Sequence, residues 1–211
     1  MPSQPPSSIE IEFVERYSLE HARVCGDVRP RGVLRRLIMW RQKSLVRLAL
    51  NVAGEPGLVL DVACGAGQFW PVLAERDNRV ILATDPSQTM LEHAKTHYSA
   101  GLLSRIILFK SSVFAIDLPE NSVDSIFCMQ LFHHVRDSEH RLAILRELHR
   151  VSRDTLIMSV CLGHSPESAR VTVGREEIKS QLSLAGFSIL KQYDVLPGCA
   201  LSSVYIVRKV A

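Results

Sequence analysis

The stretch most able to do chemistry is Leu58 to Gly67, LVLDVACGAG. It is an apolar run ending in an acid, Asp61, followed by the small residues Ala63 and Cys64 and by two glycines one residue apart, Gly65 and Gly67. Glycines let the chain turn sharply and let a ligand approach the backbone, and open α/β sheets bind ligands at the carboxyl ends of their strands. The loop alone does not choose its ligand. A dinucleotide fingerprint wants a third glycine where Trp70 stands, and a Walker loop wants a Gly-Lys-Ser/Thr that does not follow. A second acid, Asp85, closes the next apolar run 20 residues after Gly65. A carboxylate at that place can accept hydrogen bonds from both hydroxyls of a ribose.

His133 and His134 stand side by side after a later apolar run. An imidazole, with an ordinary pKa of about 6.5, suits removal of a proton from a hydroxyl or an activated carbon acid. A structural histidine bonded to backbone is the competing role for either. His93 and His97 share a helix face, but no third ligand follows at a useful spacing, so an exposed helix is the better reading than a metal site. Cys64 reads as a small packing residue rather than a nucleophile. Tyr17, Phe69 and Trp70 could touch a cofactor or substrate, with core or cap packing as the alternative.

These residues need a scaffold, and from Gly57 onward short apolar runs alternate with helix-period segments, the pattern of βα units on a mostly parallel sheet. Strands are expected at Leu58 to Val62, Val80 to Thr84, Ile106 to Phe109, Val123 to Met129 and Leu156 to Cys161. Met90, Leu91, Ala94 and Tyr98 give one helix an apolar face, with Pro86 in its first turn. Leu142, Leu145, Leu148 and Val151 do the same for another. The chain closes with a helix over Arg175 to Ala185 ended by Gly186, then runs at Phe187 to Val195 and Val204 to Val207 broken by Pro197-Gly198, an antiparallel pair. Before Gly57, Ile9 to Cys25 and Gly32 to Val52 read as two helices forming a cap, the second with Leu34, Leu37, Ile38, Leu45, Leu48 and Val52 facing the body.

Together these residues resemble the class I S-adenosylmethionine-dependent methyltransferases, in particular the small-molecule type with an internal HH motif. The resemblance runs from Gly57 to the end and includes Leu118-Pro119-Glu120-Asn121-Ser122-Val123-Asp124, Glu147-Leu148-His149-Arg150-Val151, and Glu176-Glu177-Ile178 leading to Ala185-Gly186-Phe187. It implies a Rossmann-like, doubly wound, seven-stranded, mostly parallel sheet with an antiparallel last strand and a helical N-terminal cap. It implies S-adenosylmethionine as cofactor, held at its methionine end by Asp61, Ala63, Cys64, Gly65 and Gly67 and at its ribose by Asp85 beside Pro86. Ser112 and Val113 would lie near the adenine, Met129 and Gln130 would line the site after the fourth strand, and His133 and His134 would be the catalytic candidates. The chain departs from the pattern in carrying Ser112 where Asp is usual, and Ser152-Arg153-Asp154-Thr155 where Gly-Gly is usual, so Asp154 is expected to build the turn into the fifth strand.

Methyl transfer from a sulfonium is an in-line displacement, so alignment and desolvation supply much of the acceleration and a base is optional. Met129-Gln130-Leu131-Phe132 is unlike the Asn/Asp-Pro-Pro-aromatic motif of relatives that methylate amino groups of nucleic acid or protein, which favours a small-molecule acceptor, anionic and lipid-like ones included. Leu162 to Gly174 is short, so a pocket lid must come from the N-terminal helices. The alternative is a noncatalytic protein that binds the cofactor and keeps the fold.

At 211 residues, 46% hydrophobic and 22% charged, the chain fits one globular domain without a membrane-spanning run. The expected organisation is a mobile tail over 1–8, a cap or lid over 9–56, and the cofactor-binding core over 57–211. The net charge of +3 hides an asymmetry: residues 28 to 54 hold seven basic residues (Arg29, Arg31, Arg35, Arg36, Arg41, Lys43, Arg47) and no acid, leaving 18 basic against 22 acidic elsewhere. That argues against a nucleic-acid binder and for one localised anionic contact, either an acceptor or a membrane surface touched peripherally. Five dispersed cysteines without a CxxC pair, and an N-terminus without an apolar leader, read as a cytoplasmic protein.

Overall fold

Runs rich in Val, Ile and Leu without polar alternation form strands buried on both faces, and here they build one seven-stranded sheet. The computed structural model describes residues 32–163, 171–196 and 199–210. The expected tail over 1–8, the first cap helix at Ile9 to Cys25, Tyr17, Arg29 and Arg31 lie outside the described residues.

In chain order the elements are α1 (Val33–Val52), β1 (Leu58–Val62), α2 (Trp70–Leu73), β2 (Val80–Asp85), α3 (Gln88–His97), α4 (Ala100–Leu103), β3 (Ile106–Lys110), β4 (Val123–Cys128), a 3-10 turn (Leu131–His133), α5 (Ser138–Val151), β5 (Ser152–Val160), α6 (Arg175–Leu184), β6 (Phe187–Leu196) and β7 (Cys199–Lys209). The strand order is β3-β2-β1-β4-β5-β7-β6. β1 to β5 run parallel, and β7 is antiparallel to both of its neighbours. This is the doubly wound, mostly parallel sheet with one antiparallel strand that the sequence leads one to expect.

Strand periodicity divides the core into two layers. Leu60, Val62, Ile126, Cys128, Leu156, Met158, Tyr205 and Val207 face α5 and α6, where Ile144, Leu145, Leu148, Val151, Ile178 and Leu182 are buried. Val59, Ile81, Ala83, Phe127, Ile157, Val204 and Ile206 face the other way, onto Leu45, Val46, Ala49 and Leu50 of α1, onto α2, and onto Ala94 of α3. At about 1.5–3 kcal/mol for each large apolar side chain buried, four such residues on α5 outweigh any intrinsic helix preference.

The helix starts carry their own caps. Ser87 Oγ accepts the Met90 N–H at 3.4 Å to open α3. Asp137 Oδ1 accepts the Glu139 and His140 N–H groups at 2.7 and 3.0 Å to open α5, and these bonds hold its carboxyl below the usual range.

Three local expectations are corrected. Pro86 lies outside α3, because Ser87 takes the cap and the helix begins at Gln88. No Asp154 turn precedes the fifth strand: β5 begins at Ser152, directly after α5, and Asp154 lies within the strand paired to Arg208 at 3.0 Å. On α1, Leu37 and Leu48 point outward, while Leu45, Val46, Ala49, Leu50 and Ala53 form the buried face, with Ile38 and Val52 half-buried. Helical rotation of 100° per residue puts Leu37 and Leu48 some way round the helix from that face.

Candidate functional site

The parallel register gathers the chemical residues at one end of the sheet. Asp61 pairs in register with Ala83 of β2 and Phe127 of β4, and Asp85 pairs with Lys110 of β3. The loop after β1, Asp85, the Ser111-Ser112 segment after β3 and the Met129-to-His134 segment after β4 therefore all leave the carboxyl edge of adjacent strands.

Beyond β1 the backbone enters the left-handed region three times, at Ala63 (φ 56), Gly65 (φ 54) and Gly67 (φ 74). The Cys64 N–H bonds to the Thr84 carbonyl at 3.0 Å, and the Gly67 N–H returns to the Cys64 carbonyl at 2.9 Å. Gly67 is held from behind. A Cβ there would lie 2.4 Å from the Trp70 ring. The Trp70 indole N–H donates to Asp61 Oδ2 at 3.0 Å, and the Tyr98 hydroxyl donates to the Gly67 carbonyl at 2.8 Å. Trp70 and Tyr98 lie with ring centroids 5.4 Å apart. Trp70 thus occupies the space that the third glycine of a dinucleotide loop would leave open, and its role is to position the loop and Asp61. Spacing alone showed Trp70 only as a packing or ligand candidate and gave Tyr98 only as part of a helix face.

Asp85 is fully buried. Its Oδ2 accepts the Gly65 N–H and its Oδ1 accepts the Ser87 N–H, both at 2.9 Å, so one side chain ties the glycine loop to the start of α3. A carboxylate is an acceptor, the chemistry that ribose hydroxyls require.

Asp61 is also buried, and its pKa is pushed up to about 8. Burial is the main cause and the negative charge of Asp85 adds to it, while the Trp70 bond works in the opposite direction. Burial also drives the Cys64 thiol well above its ordinary value, with Asp61 and Asp85 adding to the shift. A neutral thiol is a packing group and a poor nucleophile, in keeping with the role expected for Cys64.

The remaining expected contacts differ in what they can offer. Ser112 is half-buried, and its Oγ accepts the Phe114 N–H at 3.2 Å. The Val113 side chain packs in the α5-side core, so the backbone is its exposable part. Met129 is buried beside Phe69 and Phe127 in the α1-side core, and Gln130 is half-buried in a left-handed conformation (φ 70). The Gln130 N–H donates to Ser159 Oγ of β5 at 2.8 Å. Ser159 carried no sequence signal; it lies 29 residues away and is joined to Gln130 by this bond. His133 is buried, and its carbonyl accepts the Val171 N–H at 3.0 Å; His134 is half-buried, with its N–H on the Leu131 carbonyl at 3.0 Å. His93 and His97 are both exposed on α3, and among the described residues no group of three or more His, Cys, Asp or Glu could hold a metal ion.

α1 reaches this edge of the sheet. Gln68, next to Gly67, donates through Nε2 to Met39 Sδ at 3.3 Å. Farther along α1 one of the cations is answered: Arg47 binds Glu75 through two bonds of 2.8 and 2.6 Å, which hold the Glu75 carboxyl below its usual range.

Residues 59–155 match the family described as a methyltransferase domain. No curated protein matches the chain in sequence. Among solved structures, magnesium protoporphyrin IX methyltransferase from Synechocystis PCC 6803 with bound SAH is 16% identical, superposes with a TM-score of 0.72, and covers 94% of this chain and 97% of its own. The [4+2]-cyclase SpnF is 18% identical with a TM-score of 0.66, covering 80% of this chain and 81% of its own. A SAM-dependent methyltransferase from Aquifex aeolicus is 24% identical with a TM-score of 0.59, covering 72% of this chain and 82% of its own. At these identities the structural likeness speaks for the fold, and the family match speaks for the domain. The chain therefore carries a match to a methyltransferase domain over residues 59–155, on a fold shared with S-adenosylmethionine-dependent methyltransferases.

Proposed function

We propose that the chain transfers the methyl group of S-adenosylmethionine to a small-molecule acceptor at the carboxyl edge of β1, β2, β4 and β5. The observation that carries this reading is the braced loop: Gly65 on Asp85, Gly67 on Trp70 and Tyr98, and Asp61 beneath them. Its donor set suits the cofactor. The backbone of Ala63 to Gly67 takes the methionine end, and Asp61, poised near pH 8, ionises when an ammonium group arrives beside it. Asp85 is the acceptor for the ribose, Ser112 and the Val113 backbone take the adenine side, and Met129 and Gln130 line the wall beside it.

When bound, the cofactor supplies an electrophilic methyl group on a sulfonium with a neutral leaving group. The chain then has to align the acceptor, exclude water and, for a hydroxyl or carbon acid, accept one proton. His134, half-buried after the 3-10 turn, is the candidate base. His133, buried with its carbonyl engaged, supports the turn.

Calorimetry with S-adenosylmethionine and with its demethylated product tests the cofactor assignment. Binding by both, abolished by Gly65→Arg, is the expected result; absence of binding by either overturns it. Transfer of labelled methyl groups to a metabolite extract then tests the acceptor class. Label appearing only in protein or nucleic acid would refute a small-molecule acceptor.

A further inference from the structure

We propose that the outward face of α1 docks the catalytic end of the molecule onto an anionic lipid surface. Val33, Leu37, Trp40 and Leu48 are 84%, 56%, 62% and 47% exposed. At 100° per residue they fall on one side of the helix, with Ser44 between Trp40 and Leu48. The opposite side, with Leu45, Val46, Ala49 and Leu50, is already buried against the sheet. α1 therefore has two apolar faces, and the second one looks outward where a solvated helix would present polar residues.

The borders of that stripe are cationic, with Arg36, Lys43 and Arg47 along one edge and Arg41 along the other, and no acid occurs from residue 28 to 54. Glu75 answers Arg47. Among the described residues no carboxylate is in ion-pair contact with Arg36, Arg41 or Lys43. An apolar stripe containing an outward tryptophan and bordered by cations is the composition of an interfacial helix. A polyanion such as nucleic acid would engage the cations and leave four apolar side chains in water, whereas an anionic bilayer interface takes both. No described helix is long and apolar enough to cross a membrane, so the contact is peripheral.

Met39 contacts Gln68 beside the glycine loop, so the helix that carries the stripe reaches the catalytic edge. Resting on the methyl-transfer reading, the docked orientation implies an amphiphilic acceptor taken from the interface. The docking itself is read without cofactor or acceptor, so its failure and the failure of methyl transfer are separately visible.

The chain has two tryptophans, and Trp70 is fully buried, so a change in emission on adding lipid reports Trp40. Full-length protein is mixed with phosphatidylcholine vesicles with and without about 30% phosphatidylserine, the emission is followed, and the vesicles are floated. Expected are a blue shift and flotation with the anionic vesicles only. Arg36→Gln with Lys43→Gln should lower the partition about 25-fold, at roughly fivefold per cation. Leu37→Glu should abolish it while circular dichroism stays unchanged. Absence of shift and flotation overturns the proposal. So does a Trp40 already shielded from iodide, either in a dimer seen by sedimentation or in a monomer that loses the shielding when residues 1–31, with Glu10, Glu12, Glu15 and Glu20, are removed.

Discussion

Trp70 and Asp61 form a buried pair in which the indole N–H donates to Oδ2 at 3.0 Å, while the same ring fills the space that a side chain at residue 67 would need. One aromatic residue therefore fixes both the acid beneath the glycine loop and the bend at Gly67. Trp70→Phe keeps most of the ring volume and removes the donor. Denaturant unfolding should show a loss of about 1–3 kcal/mol for leaving a buried acceptor unpaired, and cofactor affinity should fall with it. An unchanged unfolding midpoint would show that the bond does not matter to the fold.

Gly67→Ala adds a methyl group 2.4 Å from the Trp70 ring at a φ of 74. Left-handed backbone and overlap together should cost about 1–3 kcal/mol and weaken cofactor binding at least tenfold, as read by calorimetry. Gly67→Ala combined with Trp70→Ala, which relieves the overlap, should be less harmful than the two separate losses combined.

Asp61 makes stability and binding depend on pH in opposite senses. Its folded pKa of about 8 lies above the ordinary value of 3.8, so between these limits the folded chain holds a proton that the unfolded chain has released. Stability from this group is complete below about pH 4, declines as pH rises toward 8 and is level above that. Asp61→Asn should flatten the decline in urea titrations between pH 6 and 8. If the cofactor's ammonium group docks at Asp61 as proposed, its binding should release a proton below pH 8. Calorimetry at pH 7 in buffers of different ionisation enthalpy measures it, and equal heats in all buffers would refute the linkage.

The two histidines should separate kinetically. Removing a general base lowers kcat by about 10²–10⁴-fold, so His134→Ala should reduce kcat with cofactor affinity unchanged. His133→Ala should act mainly on stability. Equal and small kcat effects from both would mean that alignment and desolvation suffice.

The sheet and the bend of the glycine loop were legible because their signals are local. LVLDVACGAG bends where its glycines stand, and continuous Val, Ile and Leu runs become strands buried on both faces. The braces behind the loop were not legible. Tyr98 reaches Gly67 across 31 residues and Ser159 reaches Gln130 across 29, contacts that exist only once the sheet has formed. α1 misled because apolar residues occur all around it; Leu37 and Leu48 fit a plausible stripe, and only packing against the sheet shows which side is used. The missing Gly-Gly turn was resolved without any turn at all, since α5 hands its chain directly to β5.

The place of β7 has a consequence for synthesis. Among the described residues β6 has no strand neighbour except β7, and β5 meets β7 on the side away from β4. Until residues 199–209 leave the ribosome, the backbone groups along that side of β5 have no strand partner and β6 has none at all. Closing that edge requires β7 to pair with both β5 and β6. A nascent chain halted within β6 therefore leaves the β7-facing side of β5 as an open sheet edge, the kind of edge that recruits other strands.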